Sequence, residues 1–146
     1  MSSAPSTEVL SRVRMAGARP WPPRVSEFTK PFWDGLVAGH FDTVRCRACS
    51  KRTFPPKPFC PHCWARVMDW VPLAPRGTVY ASTVVHAAPK LFAHEIPYRV
   101  CIVDLVDGLR IATRLLDSTD FAVGAPVEIV ALDYDDGSLF AARRTK

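Results

Sequence analysis

Four of the five cysteines of this 146-residue chain fall within the stretch CRACSKRTFPPKPFCPHC as two Cys-x2-Cys pairs, Cys46/Cys49 and Cys60/Cys63, ten residues apart. Two residues between cysteines let one tight turn aim both sulfurs at a single point, and two such knuckles facing each other supply the tetrahedral S4 set that zinc prefers. An iron site of rubredoxin type uses the same ligands, so the spacing alone leaves zinc and iron both open. An odd cysteine count, with four in this pattern, reads as metal ligation in a reducing compartment rather than as a disulfide framework. Four thiolates fill every position of a tetrahedral ion and leave none for a reactive water, so the metal is expected to be structural. Its binding energy then becomes folding energy for a segment too short to hold itself together.

Other groups capable of chemistry are scattered. His62 lies inside the second knuckle and is read as a solvent-side residue; His86 and His94 flank AAPKLFA and are read as loop histidines; Asp133, Asp135 and Asp136 form an acidic turn read as solvated. Cys101 shares a face with Val103 and Leu105 and is read as a small core residue. No phosphate-binding glycine loop, zinc-protease helix or nucleophile elbow is present, so no turnover by the chain alone is expected. With 48% hydrophobic residues the chain is globular. Its apolar runs fall far short of the ~20 residues of a membrane helix, and the N-terminus lacks the apolar core of a secretory signal. A soluble, cytoplasmic protein is expected.

The elements that must position the cysteines follow from composition. Eleven of the fourteen prolines precede residue 76, whereas the remainder alternates like short strands. The chain therefore divides into a flexible tail over 1–27, with a short helix at Thr7–Met15 as an option, a helix plus metal ribbon over 28–75, and a barrel over 76–146. In the ribbon loop, Pro55, Pro56 and Pro58 stiffen the path while Thr53 and Phe54 extend as strand. The residue after each knuckle, often Gly in such ribbons, is here Ser50 and Trp64. Upstream, TKPFWDGLVAGHF predicts a helix capped by Thr29 and ended by Gly39, with Phe32, Trp33, Leu36 and Val37 on one face. That apolar face must dock on the chain's own ribbon or barrel or on a partner.

From Gly77 the period becomes two. Val79, Ala81, Thr83 and Val85 are expected to share a face, as are Cys101, Val103 and Leu105; Leu109, Ile111, Thr113 and Leu115 alternate with Arg110 and Arg114; Val127, Ile129 and Ala131 follow, then a fifth strand at Ser138–Arg143. Asp107-Gly108 and Asp136-Gly137 mark hairpin turns. Five strands with a looser connection over Leu116–Gly124 suit a small closed barrel of OB type, so the fold class is mainly β, a helix and zinc ribbon followed by a five-stranded OB barrel.

Ribbons and OB barrels both bind nucleic acid, and the net charge is +5. It is unevenly spread: residues 1–30 carry five basic and two acidic residues (+3), 31–75 six and three (+3), and 76–146 eight and nine (−1). Four thiolates and one Zn²⁺ lower the ribbon to +1, and a barrel at −1 is a poor funnel for phosphates. The barrel aromatics Tyr80, Phe92, Tyr98, Phe121, Tyr134 and Phe140 are not interleaved with basic residues. Single-stranded nucleic-acid binding is therefore the weaker alternative.

The succession PFWDGL, CRACSKRTFPPKPFCPHC, W-V-P, GTVYASTVVH, IPYRVCIVDLVDG and VGAPVEIV, from about Pro31 to Arg143, resembles a bacterial and archaeal family of acyl-CoA-associated OB-fold proteins with an N-terminal rubredoxin-like zinc ribbon. That resemblance implies a non-catalytic accessory subunit of a thiolase-fold enzyme: a thiolase, an acyltransferase, or an aldolase (a lyase) acting on steroid or bile-acid side chains. Some relatives instead serve a hot-dog-fold enoyl-CoA hydratase. It further implies Cys46, Cys49, Cys60 and Cys63 as zinc ligands, Phe32 and Trp33 as a docking element, and a two-plus-two assembly with acyl-CoA at a shared site. CoA needs cations for its phosphates; Lys90, Arg99, Arg110 and Arg114 are within reach, and Lys90 and Arg114 are taken as the CoA contacts.

Overall fold

The structure, a computed structural model, describes residues 8–116 and 122–145. Phe121 and most of the connection before the fourth barrel strand lie outside the described residues, as do residues 1–7. Among the described residues nine strands and one α-helix follow in order: β1 (Ser11–Arg14), α1 (Lys30–Val37), β2 (Asp42–Cys46), β3 (Arg52–Thr53), β4 (Met68–Pro72), β5 (Arg76–Val85), β6 (Tyr98–Leu105), β7 (Arg110–Leu115), β8 (Pro126–Tyr134) and β9 (Gly137–Arg144). A 3-10 turn at Lys90–Phe92 interrupts the link from β5 to β6. No helix among the described residues is long and apolar enough to cross a membrane.

Strands β2, β3 and β4 form a small antiparallel sheet, β3-β2-β4, that carries the cysteine knuckles. The other strands pair in the order β5-β6-β7-β9-β8, and β8 returns to β5 through Arg76–Thr78, closing a five-stranded OB barrel. The core is filled from alternate positions: Val79, Cys101, Val103, Leu105, Ile111, Leu115, Val127, Ile129 and Ala142 are buried. Gly77 is needed where β5 crosses β6, since a Cβ there would lie 2.1 Å from the Asp104 carbonyl oxygen. Gly108 turns the β6–β7 hairpin at φ 86°.

Three expectations change in three dimensions. Val79 pairs with Val103 but Ala81 with Ile102, so Tyr80 is an extra residue, a bulge. Beyond it the expected alternation is lost: Ala81 pairs with Ile102 and Thr83 with Val100, and Ser82, opposite the buried Cys101, is itself exposed. Periodicity has no signal for one inserted residue. Next, the segment over 8–27 is not a detached tail, and Thr7–Met15 is not helical where described. Ser11–Arg14 is a strand parallel to β8, on the edge of β8 that β5 uses but beyond the start of β5 at Arg76, and Leu10 is 3% exposed within the main core. Low apolar content hid this because one leucine and a backbone ladder, not an amphipathic face, do the docking. Finally, α1 has eight residues, and Thr29 does not cap it: its hydroxyl accepts the Ser26 N–H at 2.9 Å.

Helix, ribbon and barrel are joined by an aromatic cluster. Phe32 of α1, Phe41 before β2, Phe54 in the ribbon loop and Phe140 of β9 have ring centroids 5.5–6.2 Å apart. Such pairs add about 0.5–1.5 kcal/mol each beyond their area burial. Asp107 in the β6–β7 turn accepts the Ala74 N–H at 2.7 Å and an Arg52 guanidinium N–H at 3.1 Å, tying the barrel to the ribbon.

Candidate metal centre

Both knuckles are built alike. In the first, the Ser50 N–H donates to the Cys46 carbonyl (2.9 Å) and the Cys46 N–H to the Lys51 carbonyl (2.9 Å). In the second, the Trp64 N–H donates to the Cys60 carbonyl (2.8 Å) and the Cys60 N–H to the Ala65 carbonyl (2.8 Å). Each loop is closed by one left-handed residue, Ser50 at φ 66° and Trp64 at φ 65°. These are the two positions where similar ribbons often carry Gly, so the turn geometry is kept and the steric cost is borne by the side chains. Trp64 is 72% exposed and stacks on Phe59 with centroids 5.7 Å apart and planes 9° from parallel.

The turns bring all four Sγ atoms within 4.8 Å of one another, with Cys46–Cys63 at 3.6 Å and Cys49–Cys60 at 3.5 Å. A tetrahedral ion with Zn–S bonds of about 2.3 Å requires sulfurs ~3.8 Å apart, so the donor set fits one ion. Cys46 and Cys60 are fully buried. Burial opposes ionisation of Cys60, but the N–H groups of Cys63 and His62 and the neighbouring Cys49 outweigh it and lower its pKa to about 7. The Ala65 N–H favours the Cys63 thiolate, yet burial and the sulfurs of Cys46, Cys49 and Cys60 push it up to about 12. Crowding thus keeps the set from ionising completely by itself, and a dication supplies the compensating charge. With four protein ligands no position is left for substrate. His62, exposed, stays outside the set; its N–H points at the Cys60 sulfur at 3.4 Å.

The remaining expected site residues are dispersed. Phe32, expected in a docking face, is 3% exposed and spent on the aromatic cluster; Trp33, edge-on to it at 4.9 Å, is the member of the pair that reaches the surface. Arg114 is held by Glu95 (3.0 Å) and lies 5.0 Å from the centre of the Tyr98 ring. It lines a depression of about 220 Å³ with Val84, Pro97 and Arg99, of which Lys90 is not a wall. Lys90 is exposed and makes no ion pair among the described residues. His86 and His94 are exposed. Cys101 is buried, and burial pushes its thiol up to about 11, as befits an inert core residue.

The acidic turn is not merely solvated. Asp133 receives two bonds from Arg12 (2.7 and 2.9 Å), Asp135 pairs with Arg14, and Asp136 accepts the Arg19 N–H (2.8 Å). The signal available to a sequence reader was the matched alternation of Arg12 and Arg14 with Asp133 and Asp135, which acquires meaning only once β1 and β8 are known to be parallel neighbours.

Comparison with known proteins agrees with this construction. Residues 33–69 match the profile of the ChsH2 rubredoxin-like zinc ribbon domain and residues 70–132 that of the ChsH2 C-terminal OB-fold domain. A DUF35 domain-containing scaffold protein of Methanocaldococcus jannaschii is 37% identical over 101 residues, 64% of this chain and 72% of that protein. The 3-oxo-4,17-pregnadiene-20-carboxyl-CoA hydratase alpha subunit of Mycobacterium tuberculosis is 35% identical over 121 residues, 82% of this chain but 38% of the subunit. Among solved structures, a chain of the Ltp2-ChsH2(DUF35) aldolase is 31% identical with a TM-score of 0.73, covering 84% of this chain and 98% of that one. A DUF35-family protein from Sulfolobus solfataricus, 16% identical with a TM-score of 0.56, shares the fold over 82% of this chain and 89% of its own. The expected fold and metal-binding ribbon are thus borne out, and the chain belongs to the DUF35 family, with the rubredoxin-like zinc ribbon and OB-fold domains of the ChsH2 type.

Proposed function

We propose that this chain is a non-catalytic accessory subunit that binds and stabilises a thiolase-fold acyl-CoA enzyme, a thiolase or a side-chain aldolase, and helps to hold the CoA thioester. The observation that carries the reading is the likeness, over 84% of this chain, to a chain of the Ltp2-ChsH2(DUF35) aldolase. Chemistry supports it from the other side: the one dense cluster of reactive groups among the described residues is a thiolate set that a structural metal saturates. Zinc serves the fold by fixing the ribbon, and the ribbon in turn presents the aromatic cluster on which α1 rests.

Within this reading the half-buried Trp33 is the part of the docking element that reaches the surface, with Phe32 behind it as support. Lys90 is the available phosphate contact, while Arg114 reaches a phosphate only by leaving Glu95. A two-plus-two assembly is the stoichiometry we assign. A second reading, service to an enoyl-CoA hydratase, is favoured by the names of two relatives, one in Mycobacterium tuberculosis and one in Thermomonospora curvata; the latter is 39% identical over 62% of this chain and 29% of its own length.

Affinity capture of the tagged chain from its own host's lysate, with nuclease present and mass spectrometry of the eluate, tests both. A stoichiometric thiolase-fold enzyme whose activity on acyl-CoA falls when this chain is omitted is the expected outcome. A stoichiometric hydratase would select the second reading, and absence of any acyl-CoA enzyme would refute both.

A further inference from the structure

One stretch of the barrel is left open by its own backbone. On one side β7 pairs with β6 along its whole length, from Arg110 opposite Asp104 to Leu115 opposite Arg99. On the other side β9 meets β7 at a single register pair, Leu115 with Ala142, secured by the Leu116 N–H donating to the Ala142 carbonyl at 2.9 Å. The hairpin bond from the Leu105 N–H to the Leu109 carbonyl (2.8 Å) sets which residues face β6. From it, Ile111, Thr113 and Leu115 exchange bonds with β6, and the peptide groups of Arg110, Ala112 and Arg114 turn the other way. Beside Arg110 and Ala112 no strand is present among the described residues.

A slot of about 490 Å³ runs along this open edge. Its walls are Ile111 and Ala112 of β7, Phe140 of β9, Trp33 of α1, and Phe54 and Pro56 of the ribbon loop. Two cations border it. Arg110 is committed to Asp104 at 2.6 Å and covers the Tyr80 ring at 3.5 Å, whereas Arg24 makes no ion pair among the described residues. An aromatic slot, unpaired β-edge peptide groups and one uncompensated guanidinium together describe a receptor for an extended peptide. They do not describe a nucleic-acid groove, which needs cations spaced along its whole length.

We infer that this slot receives an extended segment of the partner enzyme, which adds as a strand beside Arg110–Ala112, seats an apolar side chain against Trp33, Phe54 and Phe140, and offers a carboxylate to Arg24. The inference rests on the reading of the chain as a subunit of an acyl-CoA enzyme. It places docking at the junction of helix, ribbon and barrel, so that a bound strand contacts all three.

The test uses the full zinc-loaded chain and the captured enzyme. Ala112→Pro removes an N–H that faces the slot and makes no bond to β6, so the ladder to β6 is spared. Ala112→Ser keeps that N–H and is the control. Expected is a loss of enzyme affinity of about tenfold in Ala112→Pro, with little change in Ala112→Ser, and slowed amide exchange at Ala112 when the wild-type complex forms. Arg24→Glu, on a side chain that makes no ion pair among the described residues, is expected to weaken the complex by about fivefold and serves as the deciding variant if Ala112→Pro melts early. Wild type that captures the enzyme while Ala112→Pro, or the deciding Arg24→Glu, captures it equally overturns the slot and leaves the subunit reading standing. Wild type that captures no acyl-CoA enzyme overturns both. Concentration-dependent dimers of the purified chain that Ala112→Pro abolishes would reassign the edge to a second copy and overturn the inference.

Discussion

Leu10→Ala puts a number on how firmly the N-terminal segment is built into the barrel. Leu10 is 3% exposed and packs in the same cluster as Phe41, Val79, Ile129 and Ala131, although it precedes the ribbon by some thirty residues of sequence. Truncating a leucine so enclosed removes its transfer free energy and leaves a cavity, about 2–4 kcal/mol together. For a chain of this size each kcal/mol is worth about 2–5 °C, so the midpoint should fall by roughly 4–20 °C. The neighbour supplies the control: Val9 is 71% exposed, and Val9→Ala should stay within about 0.5 kcal/mol of wild type. Thermal unfolding followed by far-ultraviolet circular dichroism, at fixed zinc and pH 7, reads both. Equal midpoints for the two variants, within ~2 °C, would refute the docking of this segment. The Arg12–Asp133 pair does not substitute for Leu10 here, since Arg12 is 37% exposed and surface pairs contribute about 1 kcal/mol or less.

Cys60→Ser should reduce bound metal from one ion to a small fraction and unfold the ribbon, because a hydroxyl is a poor replacement for a buried thiolate; metal analysis showing full occupancy would contradict this. Ser50→Gly should raise the urea midpoint by about 0.5–1 kcal/mol in stability, since Ser50 closes its knuckle at φ 66° with its side chain exposed. In acid, the hydrogen bonds from Arg12 hold the Asp133 carboxyl below its ordinary value, and the Arg19 N–H does the same for Asp136. Carboxyls depressed in the folded state contribute stability above their unfolded value, about 3.9, and lose it as pH falls through the folded one. Amide exchange of Ser11–Arg14 should therefore accelerate below about pH 4, and the acceleration should shrink in Arg12→Ala, whose pairing is already absent; an unchanged profile in that variant would sink the assignment.

What the amino-acid sequence determined by itself is the chemistry that depends on local spacing. Cys46, Cys49, Cys60 and Cys63 are two copies of one turn, and a turn of four residues is set by its own residues, so ligand number and a closed, structural role were legible before any coordinates. The hairpin at Asp107-Gly108 and the alternation of Cys101, Val103 and Leu105 were legible for the same reason. Tertiary structure decided whatever depended on which segments become neighbours. Phe32 and Trp33 are adjacent and chemically alike, yet one is consumed by Phe41, Phe54 and Phe140 while the other reaches the surface, because β9 and the ribbon loop arrive on one side of α1. Arg12 and Asp133, separated by 121 positions, pair because β5 covers β8 only over Pro126–Glu128, which leaves the same edge open at Val130–Asp133 for β1. The open side of β7 exists because β9 touches it at one residue pair, a consequence of barrel closure that no pattern of side chains along either strand records.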